Sequence, residues 1–530
     1  MKKIKKFRLK KHKFHPITTF VLMTIAVMIL SSILSAFNIQ VSYPSIGKDG
    51  ELVNTTTIVT GMFNSYGFKY LISDATINFG NFVPLTALLI ALIGLSVAHA
   101  SGLIDTFIKR STIKIDNKNL TFFIILIATV SSLINEVGYV ILIPLAALVF
   151  EANGRNPLLG ITAAFCGVSF GYGATLFAGS TEIALVPITE EAAKLIDSTY
   201  HVEMLSNLIA IIISSVVLSV VGTIVIEKIV AKKIGRYKAE EEIVSETKEI
   251  KLENVEEEEQ KRLEQDLYEK KGLKYSFIFS IIFIIAFIYM LIPNLPFSGL
   301  LLEKGSNIYI YQLFGANSYL QNGFTFLVAI YFFGAGIFYA MGAKSLKNDK
   351  ELIEKATEYL KNIGYLIVLI FFFSEFIAVF KETNIGTVIV GALANLLINI
   401  KFTGIPLVLA VFIFVFISGL FVTSQSTKWV MLAPVVVPLM MRSNLSPQFA
   451  QLVYRAGDSM AKGCTPFLSY FVIFLGYLNM YNKDNESISI RKAFSFISTY
   501  ALIIGIAWIF ILLFFYLLGI PIGPNVHVTM

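Results

Sequence analysis

Runs of about twenty apolar residues recur along almost the whole chain, and they decide what kind of molecule it can be. Clear examples cover residues 16–37, 204–230, 275–295, 323–342, 364–380, 405–422 and 493–518. Each is long enough to cross the roughly 30 Å hydrocarbon core of a bilayer as a helix. A backbone at that depth must satisfy its own polar groups, which leaves helices or a closed barrel. Uninterrupted apolar runs of this length select helices. Hydrophobic residues make up 55% of the chain and charged residues 15%, with a mean hydropathy of +0.72, so a water-soluble fold is excluded. The reading is an all-α, multi-pass integral membrane protein.

The chain opens with MKKIKKFRLKKHK, which resembles the basic region of a secretory signal. The apolar run that follows is longer than a signal core, and no small-residue cleavage site closes it. Residues 1–15 therefore read as a basic cytoplasmic N-terminus ahead of an uncleaved first span, oriented by the positive-inside bias. The formal charge of +7 reflects cytoplasmic Lys and Arg. A basic cluster abutting a span belongs to a lipid surface, so no nucleic-acid partner is expected. The two cysteines, Cys166 and Cys464, both lie in apolar segments and read as small buried residues. No metal-ligand spacing and no phosphate-binding loop is present, so neither a cofactor nor ATP-driven pumping is expected. A hydrolase would need a nucleophile–base pair, and no histidine stands in register with the membrane Ser and Thr residues, so an enzyme is not expected.

Two stretches 290 residues apart repeat one pattern. Tyr139-Val-Ile-Leu-Ile-Pro144 sets against Trp429-Val-Met-Leu-Ala-Pro434, and the register continues without a gap through Pro157 and Pro447. It ends at Gly167–Phe177 against Gly457–Phe467. Nine of the 39 paired positions are identical (140, 142, 144, 157, 167, 169, 173, 175 and 177), where random pairing gives roughly two to three. Interrupted apolar segments recurring in both halves of a membrane protein point to the substrate site of a secondary transporter.

The halves are residues 16–230 and 275–519, separated by a charged cytoplasmic linker at 231–274 and followed by a tail at 520–530. Residues 38–68 are polar and expected outside, and 345–361 reads as a short amphipathic cytoplasmic helix. Gly and Pro at the starts of 78–102 and 384–400 suggest re-entrant hairpins there. The interruptions are expected near 131–138 and 171–182 in the first half, and near 423–429 and 457–466 in the second. Unwinding a helix within the membrane frees donors and acceptors at fixed places: helix N-termini favour anions and exposed carbonyls favour cations.

Ionisable residues at these breaks are Glu136, Glu182, Lys428, Arg455 and Asp458. Charge at membrane depth is costly and normally marks a pathway. Glu182, closing a Gly/Ser/Thr run, is the leading proton-titrating carboxylate, with Asp458, Glu136 and Ser459 as further coupling-ion residues. Arg455 and Asp458 lie three apart and could also form a local ion pair. Trp429, beside a break, reads as a stacking surface for a ring. Ser426, Asn135, Thr465 and Pro466 complete the expected substrate contacts. The coupling ion is H⁺ or Na⁺. If it is sodium, its ligands are expected near Asn135, Gly171, Ser424 and Gly457.

These residues also carry a family resemblance. The stretches NEVGYVILIPLAALVFEANGRNPLLGITAAFCGVSFGYGATLFAGSTE, STKWVMLAPVVVPLMM and LSPQFAQLVYRAGDSMAKGCTPF resemble the p-aminobenzoyl-glutamate transporter (AbgT) family over nearly the whole chain. The resemblance implies a homodimer in the bacterial cytoplasmic membrane, with an inverted repeat, about nine spanning helices and two re-entrant hairpins per protomer. It implies import of p-aminobenzoyl-glutamate or export of sulfonamide antimetabolites, driven by an ion gradient. It also places the family's functional Trp, Pro and Arg on Trp429, Pro447 and Arg455, and puts Asp458 and Pro466 at motif positions. The family's first-half Asp is Glu182 here, which carries its carboxylate ~1.5 Å further out. Other departures are Asn135-Glu136-Val137, Gln425 through Lys428, and Phe380-Lys381-Glu382-Thr383-Asn384. The leading expectation is thus secondary transport of a small organic anion; the alternative is a sodium-coupled carrier of dicarboxylates or other small acids.

Overall fold

The structure, a computed structural model, describes residues 14–47, 49–112, 117–134, 136–235, 255–361, 363–483 and 486–530. It is helical almost throughout. The first half comprises α1 (Pro16–Ala36), α2 (Ser65–Gly80), α3 (Val83–Ala100), α4 (Leu103–Thr112), α5 (Asn117–Val130), α6 (Val137–Ala152), α7 (Pro157–Phe170), α8 (Ser180–Lys194), α9 (Leu208–Val225) and α10 (Ala231–Ile234). The second comprises α11 (Val255–Leu291), α12 (Tyr309–Phe314), α13 (Tyr319–Ala343), α14 (Asp349–Leu360), α15 (Ile363–Glu382), α16 (Ile385–Ile398), α17 (Gly404–Gly419), α18 (Gln425–Met441), α19 (Pro447–Cys464), α20 (Phe471–Met480) and α21 (Ile490–Leu518). Among the described residues, seven helical stretches are long and apolar enough to cross a membrane. The protein is a multi-pass membrane protein.

Sequence and structure part in several places. The polar segment after α1 forms an antiparallel pair, β1 (Gln40–Ile46) and β2 (Leu52–Ile58), in register from Gln40 opposite Ile58 to Ile46 opposite Leu52. Its β-branched residues suit a pleated strand, and hydroxyl pairs Ser42–Thr56 and Ser45–Thr55, each 2.6 Å, tie the strands together. The linker reads as helical in part, and its described C-terminal portion is helix: α11 starts at Val255 and runs 37 residues, on through the apolar run that follows. Segment 78–102 holds the end of α2, a break at Asn81–Phe82 and then α3. Segment 384–400 is largely α16, turned sharply off α15 through Asn384 in the left-handed region (φ 57°).

Two further helix–break–helix units are α5–α6 and α17–α18. Their helices have 14 to 17 residues, about 21–26 Å at 1.5 Å per residue, short of the hydrocarbon thickness. The first break is a 3₁₀ turn at Ser131–Ile134, and the second falls at 420–424. The later breaks are 171–179 and 465–470, so Gly457, Asp458 and Ser459 stand inside the intact α19, against the expectation of an interruption there. Glycine at 457 is required by a neighbouring helix instead of by an unwound backbone.

That neighbour explains several of the repeat identities. A Cβ on Gly167 would meet Ala128 and the Ile125 carbonyl of α5 at 2.6 and 3.0 Å. A Cβ on Gly457 would meet the Phe412 carbonyl and Val415 of α17 at 2.8 and 2.9 Å. Ile125 and Val415 are themselves 290 apart, so one helix crossing is built twice. Pro157 and Pro447 both open a helix, where the missing N–H costs nothing, capped by Asn156 and Ser446 respectively. Pro144 and Pro434 both stand inside their helices.

The halves then exchange short helices: α8 packs on α18 and α19, α20 packs on α6 and α7, and α7 crosses α19. This centre is dry. Every residue of α19 from Pro447 to Gly463 is buried, as is nearly all of α7.

Candidate functional site

A helix buried on all sides is ordinarily apolar, yet α19 carries Gln448, Gln451, Arg455, Asp458, Ser459 and Lys462. Their spacing of three or four residues lines them along the helix. Each must find a partner, because an unpaired polar group away from water costs several kcal/mol on hydrocarbon scales. The partners come mainly from the first half. Gln448 accepts from the Tyr200 hydroxyl at 2.9 Å, and Gln451 Oε1 lies 2.8 Å from the Thr189 hydroxyl. Arg455 pairs with Glu182 and donates through Nε to the Gly173 carbonyl at 3.0 Å. The Ser459 hydroxyl takes the Gly173 N–H at 2.6 Å. Lys462 pairs with Glu136 at 3.1 Å and lies 3.8 Å over the Tyr172 ring. Asp458 alone turns to the second half and pairs with Lys428.

Two of these ion pairs are sealed. Lys428 and Asp458 both have no exposed side-chain surface, and Arg455 and Glu182 are 0% and 3% exposed. Glu182 also accepts the Gly179 N–H at 2.7 Å, so it caps the start of α8 from its third position. Arg455 thereby grips both ends of the 171–179 break, through the Gly173 carbonyl and through Glu182. The third pair, Lys462–Glu136, is different. Glu136 is 32% exposed and opens onto a cavity.

That cavity, of 660 Å³, lies where four repeat-related helix starts converge. Glu136 precedes α6, and its repeat mate Ser426 lies in the first turn of α18. Ser180 opens α8, and its mate Tyr470 precedes α20. All four line the space, together with the bend at Asn81–Phe82 and the α15–α16 turn around Lys381 and Asn384. Helix N-termini present unpaired N–H groups and a positive dipole end, a combination suited to anions. Two lining side chains hold buried polar atoms without a partner among the described residues, Thr181 Oγ1 and Gln425 Nε2. Tyr172, Phe380, Phe421 and Phe467 supply aromatic surface.

The expected site residues divide between the cavity wall and the packed core behind it. Glu136 and Ser426 line the cavity, as does Ser424. Thr465 is buried and donates to the Leu420 carbonyl at 2.6 Å, joining two breaks. Pro466 lies in the same break, next to the lining residue Phe467. Glu182, Arg455, Asp458, Ser459 and Gly457 form the buried core next to it, and Gly171 caps α7. Pro447 is the buried first residue of α19. Asn135 lies outside the described residues. Trp429 does not present its indole to the break: it is fully buried, packs against the tilted Tyr454 ring with centroids 4.3 Å apart, and donates its N–H to Thr189 at 2.9 Å. The helix α18 begins at Gln425, so Trp429 falls one turn in and rotates onto α8 and α19.

Sequence reasoning missed Lys462, Gln448, Gln451 and Thr189. A readable signal existed for the α19 residues, since LSPQFAQLVYRAGDSMAKGC spaces its polar side chains at helical intervals. Gln425 and Lys381 are legible in the sequence only as members of stretches that depart from the family pattern.

The chain is similar to known proteins along nearly its whole length. The AbgT putative transporter family model matches residues 9–530. The p-aminobenzoyl-glutamate transport protein of Escherichia coli (strain K12) is 28% identical over 513 residues, covering 97% of this chain and 94% of that protein. Two solved structures are similar. The Alcanivorax borkumensis YdaH transporter, described as having an unusual topology, is 25% identical, covers 96% of this chain and 100% of that one, and superposes with a TM-score of 0.47. Neisseria gonorrhoeae MtrF, described among a class of antimetabolite efflux pumps, is 28% identical over 97% of this chain and 98% of that one, also with a TM-score of 0.47.

Proposed function

The chain belongs to the AbgT putative transporter family, and from that premise we propose that it carries a small aromatic organic anion across the membrane through the four-helix-start cavity. It is a transporter and not an enzyme. The p-aminobenzoyl-glutamate class follows the E. coli relative, and related aminobenzoyl or sulfonamide compounds follow from the family resemblance. One observation carries the reading: helix N-termini, two lysines and a set of aromatic rings surround one cavity. The positive features suit carboxylates, and the rings suit an aminobenzoyl group, each stacked pair contributing about 0.5–1.5 kcal/mol beyond burial.

We further infer that transport is coupled to an H⁺ or Na⁺ gradient, with Glu136 as the coupling group nearest the substrate and Glu182 and Asp458 behind it. The protein works as a homodimer in the cytoplasmic membrane of a bacterium, with its N-terminus in the cytoplasm. The short units α5–α6 and α17–α18 are the re-entrant hairpins of this reading, because their helices are too short to cross. One observation favours the alternative, a sodium-coupled dicarboxylate carrier: Trp429 is turned away from the cavity.

Uptake and counterflow in proteoliposomes, with aminobenzoyl, sulfonamide and aliphatic diacid substrates and separately imposed H⁺ and Na⁺ gradients, test both readings. The expected result is gradient-dependent accumulation of aromatic anions. Transport confined to aliphatic diacids replaces the first reading with the second.

A further inference from the structure

The charges lining the cavity do not balance. One carboxylate, Glu136, and two ammonium groups, Lys462 and Lys381, face it. Glu136 and Lys462 neutralise each other at 3.1 Å, and Lys462 is further held over the Tyr172 ring. Lys381 makes no ion pair among the described residues and is exposed. Its neighbour Glu382 is turned the other way, accepting from the Tyr66 hydroxyl at 2.5 Å. The cavity therefore carries a surplus cation.

Lys381 is also well placed to hold a ligand in one position. It stands in the last turn of α15, immediately before the tight turn into α16. Asn384 fixes that turn in the left-handed region, and the buried Thr383 hydroxyl donates to the Phe380 carbonyl at 2.6 Å. A lysine ending a helix gains from the macrodipole wherever it points. That gain does not explain a lysine facing a cavity already supplied with two unpartnered buried polar atoms, on Thr181 and Gln425. Those atoms and the lysine offer neutral and charged contacts to one cavity.

We propose that Lys381 is the specificity-determining cation of this cavity, pairing with a carboxylate of the substrate so that the protein selects anionic aromatic amides over uncharged ones. The inference rests on the aromatic-anion reading above and sharpens it. Neutral sulfonamide-type compounds would enter the same space without engaging Lys381.

The test is equilibrium binding to the full-length protein in lipid nanodiscs, using p-aminobenzoyl-glutamate and its uncharged dimethyl ester. Wild type is expected to favour the diacid. Lys381→Gln is expected to weaken diacid binding about 5- to 10-fold, the scale of one charge-assisted contact, while leaving ester binding unchanged. Lys381→Arg keeps the preference, and Lys381→Glu weakens the diacid further. Added salt should weaken diacid binding to wild type more than to Lys381→Gln. Unchanged diacid binding in Lys381→Gln, or equal loss of both ligands, overturns the assignment while leaving the aromatic-anion reading intact. Wild-type protein that binds neither compound overturns that reading, and this inference with it.

Discussion

Removing the carboxylate of Asp458 should destabilise the protein more than it disturbs the cavity. Asp458 pairs with Lys428 where neither side chain has any exposed surface. Lys428 also donates to the Val422 carbonyl at 3.1 Å. The pair sits beneath Gly419 of α17, where a Cβ would come within 2.8 Å of the ammonium nitrogen. With Asp458→Ala, the ammonium stays buried without its counter-charge, keeping only the Val422 carbonyl as a polar partner. Breaking a buried pair in this way costs about 3–5 kcal/mol, whereas replacing both partners with apolar side chains of similar size is often neutral. Asp458→Ala should therefore lose about 3–5 kcal/mol, and Lys428→Met with Asp458→Leu should recover at least half of it. The assay is SDS-titrated unfolding in mixed micelles, followed by the fluorescence of Trp429 and Trp508, with both single variants completing a double-mutant cycle. A loss below about 1 kcal/mol in Asp458→Ala, or a double variant no more stable than the single one, refutes the reasoning. Reading the sequence alone suggests that Asp458 and Glu182 serve coupling and not folding. Their burial against Lys428 and Arg455 means that any transport defect must be measured beside stability.

Three further outcomes follow from the packing. Trp429→Phe keeps the packing against Tyr454 and loses the hydrogen bond to Thr189, so it should cost about 1–2 kcal/mol in the same unfolding assay with substrate affinity unchanged; a marked loss of affinity without loss of stability would return the indole to the substrate site. Gly173→Ala places a Cβ 2.6 Å from the Ser459 hydroxyl and 2.7 Å from the Arg455 carbonyl, so it should force the 171–179 break off α19, costing about 1–3 kcal/mol and most transport; normal uptake by this variant would show that the contact is slack. Glu375 is buried in α15, with one oxygen accepting from Asn78 at 3.3 Å and the other unpartnered among the described residues. Glu375→Gln should leave stability unchanged or raise it by about 1 kcal/mol, and a loss above about 2 kcal/mol would mean that the carboxylate itself is required.

The sequence by itself determines the membrane class, the helical architecture and the two-fold repeat. Run length and hydropathy are local properties, and the 290-residue echo survives because each half must build the same crossing, with glycine at 167 and 457 and proline opening the helix at 157 and 447. It also marks part of the cavity wall, since Glu136, Ser426 and the breaks around them line that space. What it does not contain is rotation and partnership. Whether Trp429 faces the cavity or Thr189 depends on where α18 begins and which helix lies behind it, and α8 is 240 residues away in sequence. Gly457–Ser459 reads as an interruption because small and polar residues both break helices and admit close neighbours, and only the position of α17 separates those meanings. The pairings of Arg455 with Glu182, Asp458 with Lys428 and Lys462 with Glu136 are likewise decided in space. Burial forces each charge to find the nearest opposite one, and that choice exists only once the two halves have exchanged α8 and α20.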